Sequence, residues 1–348
     1  TFLFGLACLS PLGLGKVVEK GLGEDCGVSK TRWWFDFSWP PLKSETDHYV
    51  CTSPYVCIGP QTPDQGKCQS PSAVPFDRKR QTMYSELNWW ILDNRGGTQT
   101  VPSGYNITKL AGEEKFAIMR DQTGQCFVVQ RGSNDHLELF EAFMSQLHAP
   151  TPVSSGDSTI YVNQGFWDHY VRELQQDLKK HIPQAIEQGC ASFDLIGHSL
   201  GGATVQMTVA DLGQPGGVLH RKIRDVITHG APLAMKDQSG TCSRYKALIS
   251  GQNLRFVALT SHNMDNGDPI PSTPIGYDNC ATDSVLLRAS NLEGIDAYIS
   301  TQVNSNVPNN ALAFGDDFLL IAKMIDIYRM REHSWHAIPQ YTRILKRF

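Results

Sequence analysis

The sequence predicts an α/β protein, a mostly parallel central sheet flanked by helices, with an N-terminal cysteine-rich extension. Three observations predict it. From Phe76 onward, apolar runs of strand length alternate with stretches of helical period. One junction, Phe193-Asp194-Leu195-Ile196-Gly197-His198-Ser199-Leu200-Gly201-Gly202-Ala203, reads as a strand, a sharp turn and a helix start. Residues from about 20 to 75, by contrast, hold Cys26, Cys51, Cys57 and Cys68 among many Pro, Ser, Thr and Asp residues. Little regular structure is expected there.

Taken in order, residues 1–20 begin with an apolar run that resembles a signal-peptide h-region cut short, without a basic n-region. A buried domain-start segment is the alternative. Residues 21–75 form the extension, which contains Trp33-Trp34-Phe35-Asp36-Phe37-Ser38-Trp39-Pro40-Pro41. Those aromatics either tuck against the catalytic region, the reading preferred here, or touch a substrate surface. Residues 76–348 form the main domain. Within it, Gln81 to Leu92 reads as a helix with Tyr84, Leu87 and Ile91 on one face. Phe116 to Met119 and Cys126 to Gln130 read as strands joined by a turn at Asp121 to Gly124. Helices follow at Asp135 to His148 and Gly165 to His181, then the strand at Phe193, strands Asp225 to Thr228 and Arg255 to Thr260, and a helix at Asp316 to Arg329. Such alternation calls for a sheet wrapped by helices.

The turn at Ser199 has a mechanical reading. A serine hydroxyl is a weak nucleophile unless the backbone thrusts it toward a base, and the G-x-S-x-G pattern of Gly197 and Gly201 lets strand and helix cross closely enough to do so. The apolar run before it and the helical run Ala203 to Leu212 after it supply the context this elbow needs. With a nucleophile elbow, the sheet is an α/β-hydrolase. The N–H of Leu200, just after the nucleophile, is a donor for a developing oxyanion.

Composition narrows the surroundings. A chain of 348 residues, 41% hydrophobic and 19% charged, can bury one large core. Its net charge of -4 and pI near 6.2 give no field for nucleic acid or an anionic membrane. No apolar run long enough to span a bilayer occurs after the N-terminus. If Cys8 leaves with a signal segment, eight cysteines remain; an even number fits an oxidising compartment, with 105 pairings open. Without a C-x-x-C pair, neither zinc nor another metal is expected. The sequon Asn106-Ile107-Thr108 agrees with secretion.

Five separated segments together resemble the class 3 lipase family. They are Val129-Gln130-Arg131-Gly132-Ser133, Val162-Asn163-Gln164-Gly165-Phe166 with Tyr170, the Ser199 elbow, Thr228-His229-Gly230-Ala231-Pro232, and Asp268-Pro269-Ile270-Pro271. Two departures stand out: Leu233 lies where the family often carries Arg, and the cysteine-rich extension has no counterpart in the short fungal members. The resemblance implies that Ser133 is the second oxyanion donor, through its backbone N–H and hydroxyl. It also implies that the segment directly after Ser133 is a lid. There Asp135 and Glu138 resemble a capping box, and Leu137, Phe140, Phe143, Met144 and Leu147 recur at helical spacing.

The order nucleophile, acid, histidine along an α/β-hydrolase chain leaves few candidates for the rest of the triad. Asp268 follows the strand that ends near Thr260, with rigid prolines fixing its loop; Asp265 competes with it. Of eleven histidines only His333 and His336 lie beyond that loop. His336 is favoured, because Tyr341 five residues later resembles the H-x-x-x-x-Y ending of many plant and bacterial members. His198, beside the nucleophile, points away and is a packing residue. Cys126 and Cys190 precede strands that this fold places side by side, within disulfide range, although two buried free thiols would also fit.

The expected function is therefore that of a secreted or lumenal serine ester hydrolase without metal or cofactor. A triacylglycerol lipase, acting on a lipid ester at an interface through an acyl-enzyme, is the first expectation. A phospholipase A1, a phenolic-acid esterase of the feruloyl type, and a catalytically silent binding protein on the same fold are the alternatives.

Overall fold

A computed structural model describes residues 17–20, 25–35, 42–51, 56–59, 66–69, 76–94, 105–133, 149–155, 158–260, 268, 270–272, 274, 277–289, 298–303 and 338–347. Its strands are β1 (Val17–Lys20), β2 (Asp25–Phe35), β3 (Leu42–Cys51), β4 (Val56–Gly59), β5 (Gly66–Gln69), β6 (Thr108–Gly112), β7 (Phe116–Arg120), β8 (Cys126–Gln130), β9 (Pro150–Ser155), β10 (Ser158–Asn163), β11 (Phe193–His198), β12 (Ile223–His229), β13 (Asn253–Thr260), β14 (Asp283–Ala289) and β15 (Tyr298–Val303). The helices are α1 (Arg78–Asn94), α2 (Gln164–Glu173), α3 (Gln175–Glu187), α4 (Leu200–Leu212), α5 (Thr241–Ala247) and α6 (Ile338–Arg347).

The α/β-hydrolase class read from the sequence is the one observed. At the centre, β8, β11, β12, β13 and β14 run parallel, with antiparallel β7 and β6 beyond β8. Strands β8 and β11 are buried at every position, as a central parallel strand covered on both faces should be. Alternation then divides their side chains between two cores. Val128, Leu195 and Val226 face the helices α2, α3 and α4, whereas Phe127, Val129, Ile196 and Ile227 face α1 and α6. Helix α4 is buried along its whole length except at Asp211. This explains why the run Ala203 to Ala210 is apolar or small nearly all round.

One buried charge anchors β11. Asp194 on β11 accepts from Arg224 Nε at 2.8 Å and Nη2 at 2.5 Å, and from the hydroxyl of Tyr84 on α1. Burial pushes its carboxyl up, while Arg224 and Tyr84 hold it toward the charged form. The disulfide Cys126–Cys190 closes where the two strands begin, with Cα atoms 5.7 Å apart, and Phe193 pairs with Cys126 across the ladder. A second disulfide joins Cys242 to Cys280.

Two expectations need correction. In its described residues the extension is not irregular: β2 to β5 pair with one another, and β4 joins β15 in parallel, Ile58 opposite Ile299. Thirteen strands of the described residues therefore share one sheet. The reason is that β-branched and aromatic residues such as Val28, Thr31 and Trp33 to Phe35 suit strands, and distant pairing supplies the hydrogen bonds that local patterning does not reveal. Val17 to Lys20, inside the stretch read as a signal remnant, pairs with β3. The helix expected from Gly165 to His181 is instead two helices. Leu174 leaves helical geometry at φ -135°, buries its side chain, and α3 then continues through Pro183 to Glu187. The expected helices at 135–148 and 316–329 lie outside the described residues.

Candidate active site

Ser199 sits between β11 and α4 at φ 55° and ψ -128°. A non-glycine residue there costs roughly 1–3 kcal/mol and is held only by its surroundings. Two of those surroundings are hydrogen bonds: Ser199 donates its N–H to the carbonyl of His229 at 3.0 Å, and its own carbonyl accepts from Gly202 at 2.9 Å. The elbow also needs its glycines, since a Cβ on Gly197 would stand 2.2 Å from the carbonyl oxygen of Gly201. Strand and helix thus cross at backbone contact, and the serine is carried at the carboxyl edge of the sheet.

The end of β8 comes up against the same turn. A Cβ on Gly132 would lie 2.8 Å from the His198 carbonyl oxygen and 3.3 Å from Ser199 Cβ. Ser133 follows directly, and its hydroxyl is buried without a hydrogen-bond partner among the described residues. A buried hydroxyl left unpaired is costly unless a ligand meets it, which suits a donor that waits for an oxyanion. Leu200, at the first turn of α4, is likewise buried beside Ser199.

Asp268 follows β13, which is separated from β11 by β12 alone. It is wholly buried, and its N–H donates to the Ala258 carbonyl at 2.8 Å. Its Oδ1 accepts from the Ile270 N–H at 3.0 Å, and Oδ2 accepts from the Tyr341 hydroxyl at 2.5 Å. That phenol, on α6, also accepts from the Ala258 N–H at 3.3 Å. Burial and the Asp268 charge hold its pKa well above the usual tyrosine value, so it donates rather than ionises. Arg255 on β13 is buried, its pKa lowered by desolvation to about 10 but favoured in its charged form by Asp278, Tyr341 and Asp268. A cation therefore faces Asp268.

The histidines divide. His229, whose carbonyl takes the Ser199 N–H, is fully buried and pushed down to about 3 by desolvation. Its Nδ1 meets Asn88 Nδ2 at 3.1 Å, and its ring stacks on Phe256 with centroids 5.0 Å apart. His198 lies edge-on to Tyr341 at 6.0 Å, a packing contact. His333, His336 and Asp265 lie outside the described residues, as do Leu137, Phe140, Phe143, Met144 and Leu147. Leu233, the departure from the family pattern, is buried and apolar.

Sequence reasoning passed over Asn88 and Arg255. The signal for Asn88 was present, since Gln81, Ser85 and Asn88 lie on the buried side of α1. Among the described residues the group with metal-ligand types is Cys242, Asp278 and Cys280, and its two sulfurs are tied in a disulfide with no thiolate to offer.

Residues 127–277 match the family described as Lipase (class 3). Among solved structures, a deletion mutant of the Rhizomucor miehei lipase–propeptide complex is similar at TM-score 0.50 and 15% identity, covering 69% of this chain and 76% of that one. A lipase from Yarrowia lipolytica gives TM-score 0.48 and 15% identity over 72% of this chain and 92% of its own. A lipase from Rhizopus microsporus var. chinensis gives 0.47 and 18%, over 68% and 82%. At such identities the likeness is one of fold. No curated protein matches the sequence.

Proposed function

We propose that the chain is a secreted lipase of the class 3 family, whose description its residues 127–277 match. It hydrolyses acylglycerol esters at a lipid–water interface through an acyl-enzyme on Ser199. The observation that carries this reading is Ser199 itself, held at φ 55° at the carboxyl edge of the sheet with buried Asp268 one strand beyond its neighbour.

In the first step Ser199 Oγ attacks the ester carbonyl carbon and gives its proton to a histidine base, assigned to His336 with His333 as rival. Tyr341 brings α6 onto Asp268, and His336 precedes it by five residues, a short tether for an imidazole that must reach the same carboxylate. Asp268 orients that imidazole and stabilises its charged form. The carbonyl oxygen becomes an oxyanion and receives the Leu200 N–H together with the N–H and hydroxyl of Ser133; one such donor is worth about 10²–10³ in kcat. Collapse expels the alcohol, which takes the proton back from the imidazole. Water then attacks the acyl-serine by the same route in reverse, releasing the fatty acid and the serine.

The apolar stripe Leu137, Phe140, Phe143, Met144 and Leu147 supports a lipid over a phenolic ester, because a small polar ester needs no such cover. The test is a panel of chromogenic esters of increasing acyl length, with Ser199→Ala as control. Turnover that rises with acyl length and vanishes in the variant is the expected result. Hydrolysis of feruloyl esters alone, or activity that survives in Ser199→Ala, overturns the reading.

A further inference from the structure

The sequon Asn106-Ile107-Thr108 has no part in ester hydrolysis, and its surroundings give it another use. It leads into β6, the strand at one end of the sheet, whose outer edge meets no other described strand. Asn106 and Thr108 are exposed, while Ile107 between them packs against the core shared with α1. Asparagine and threonine thus face solvent together. Asn106 adopts φ 47°, a conformation that asparagine tolerates better than most residues.

Beside the sequon lies a cavity of about 380 Å³, bordered by Asn106, Thr108, Arg120, Gln122, Gly124 and Gly189. That volume is in the range of pockets that take small ligands. Its border is polar: Arg120 reaches across to the Gln188 carbonyl at 2.6 Å, and Asp121 and Gln122 of the adjoining turn line it. The groove opens at the end of the sheet where β8 and β11 begin, because Arg120 pairs with Cys126 and Cys126 with Phe193. Ser199 is at the other end of β11.

We propose that Asn106 carries an N-linked oligosaccharide whose first sugars lie in this groove and cover the open edge of β6. In the transfer, Asn106 Nδ2 bonds to C1 of the sugar of a polyprenyl-diphosphate-linked oligosaccharide. The C1–O bond to phosphate breaks, the diphosphate leaves with the bonding electrons, and the amide proton passes to the transferase's base. An open strand edge is a template for pairing with another chain, and a bulky hydrated substituent blocks it. The proposal rests on the secretory part of the function above and not on the ester chemistry.

The full chain is expressed in a secreting eukaryotic host, and its intact mass is read before and after peptide-N-glycosidase. The expected result is loss of an oligosaccharide mass with conversion of that asparagine to aspartate. Asn106→Gln and Thr108→Ala should each abolish the shift, and Thr108→Ser should keep it. All three should hydrolyse esters at the normal rate, so that a failed modification is distinct from a failed catalytic reading. On warming, the unmodified variants should scatter more light than the modified protein. A secreted protein whose mass the glycosidase leaves unchanged overturns the proposal. Equal scattering with and without the sugar overturns the covering of β6.

Discussion

The Tyr341 hydroxyl donates to Asp268 Oδ2 at 2.5 Å, although 73 residues separate the two in the chain. Through this bond α6 holds the acid from behind. The same helix is tied to α1 by Ser85 and Thr342, 2.6 Å apart, and by Lys346 on Glu86. Loss of the phenol should therefore disturb both the acid's position and the seating of the helix. Tyr341→Phe removes the hydroxyl that donates to Asp268 and accepts from the Ala258 N–H, at about 1–3 kcal/mol. The expected outcome is a lower urea midpoint together with a reduced kcat at unchanged KM. Unaltered kcat in a variant that is measurably less stable would show that Tyr341 supports the fold alone.

Ser199 stands in strained backbone at φ 55°, and a residue free of that strain should separate activity from stability. Ser199→Gly is expected to lose turnover by several orders of magnitude, as removal of a triad nucleophile does. It should also unfold at higher denaturant, by roughly 1 kcal/mol, because glycine adopts positive φ without cost. Denaturant titration beside a phosphonate labelling assay checks both halves. A variant that still takes the label would sink the assignment of the nucleophile.

The base is decided by two single substitutions. His336→Ala should abolish hydrolysis, and His333→Ala should leave most of it. Far-UV circular dichroism on each confirms that the fold survives. The reverse pattern of activities hands the role to His333.

His229 makes stability depend on pH in a direction its burial dictates. Its folded pKa of about 3 lies below the ordinary histidine value of about 6.5, so between these values the unfolded chain binds a proton that the folded one refuses. The stabilisation is present above about pH 6.5 and is lost as pH falls toward 3, with a slope of up to about 1.4 kcal/mol per pH unit. Unfolding free energy measured across that window should fall less steeply in His229→Gln than in the parent chain. Equal slopes would mean that the ring titrates in the fold, against a buried pair of Phe256 and Asn88.

The stripe after Ser133 is testable through the physical state of the substrate. An apolar cover opened in water exposes surface at a cost that a lipid surface removes, so the rate should jump as a short-chain triglyceride passes its solubility limit. Replacing Phe140 and Phe143 by serine should shrink the jump. Smooth saturation in both proteins would exclude such a cover.

What the sequence by itself determined is what depends on neighbours along the chain. The elbow at Ser199 was legible because a sharp strand-to-helix turn demands glycine two residues before and two after it. Strands β8 and β11 were legible because a strand buried on both faces is mainly apolar, here at every position but Gln130, Asp194, Gly197 and His198. From the side-by-side placement of those strands the Cys126–Cys190 bond could be anticipated, and it is present. Tertiary structure alone decided the rest. The strands of the extension escaped notice because their partners are distant, β15 for β4 above all, and pairing rather than local periodicity makes them strands. Likewise Asn88 meets His229 across 141 residues, and no local rule distinguishes a polar residue on α1 that will be buried against an imidazole from one that will be solvated. A buried polar group is tolerated only where a partner meets it, and only the folded chain brings that partner there.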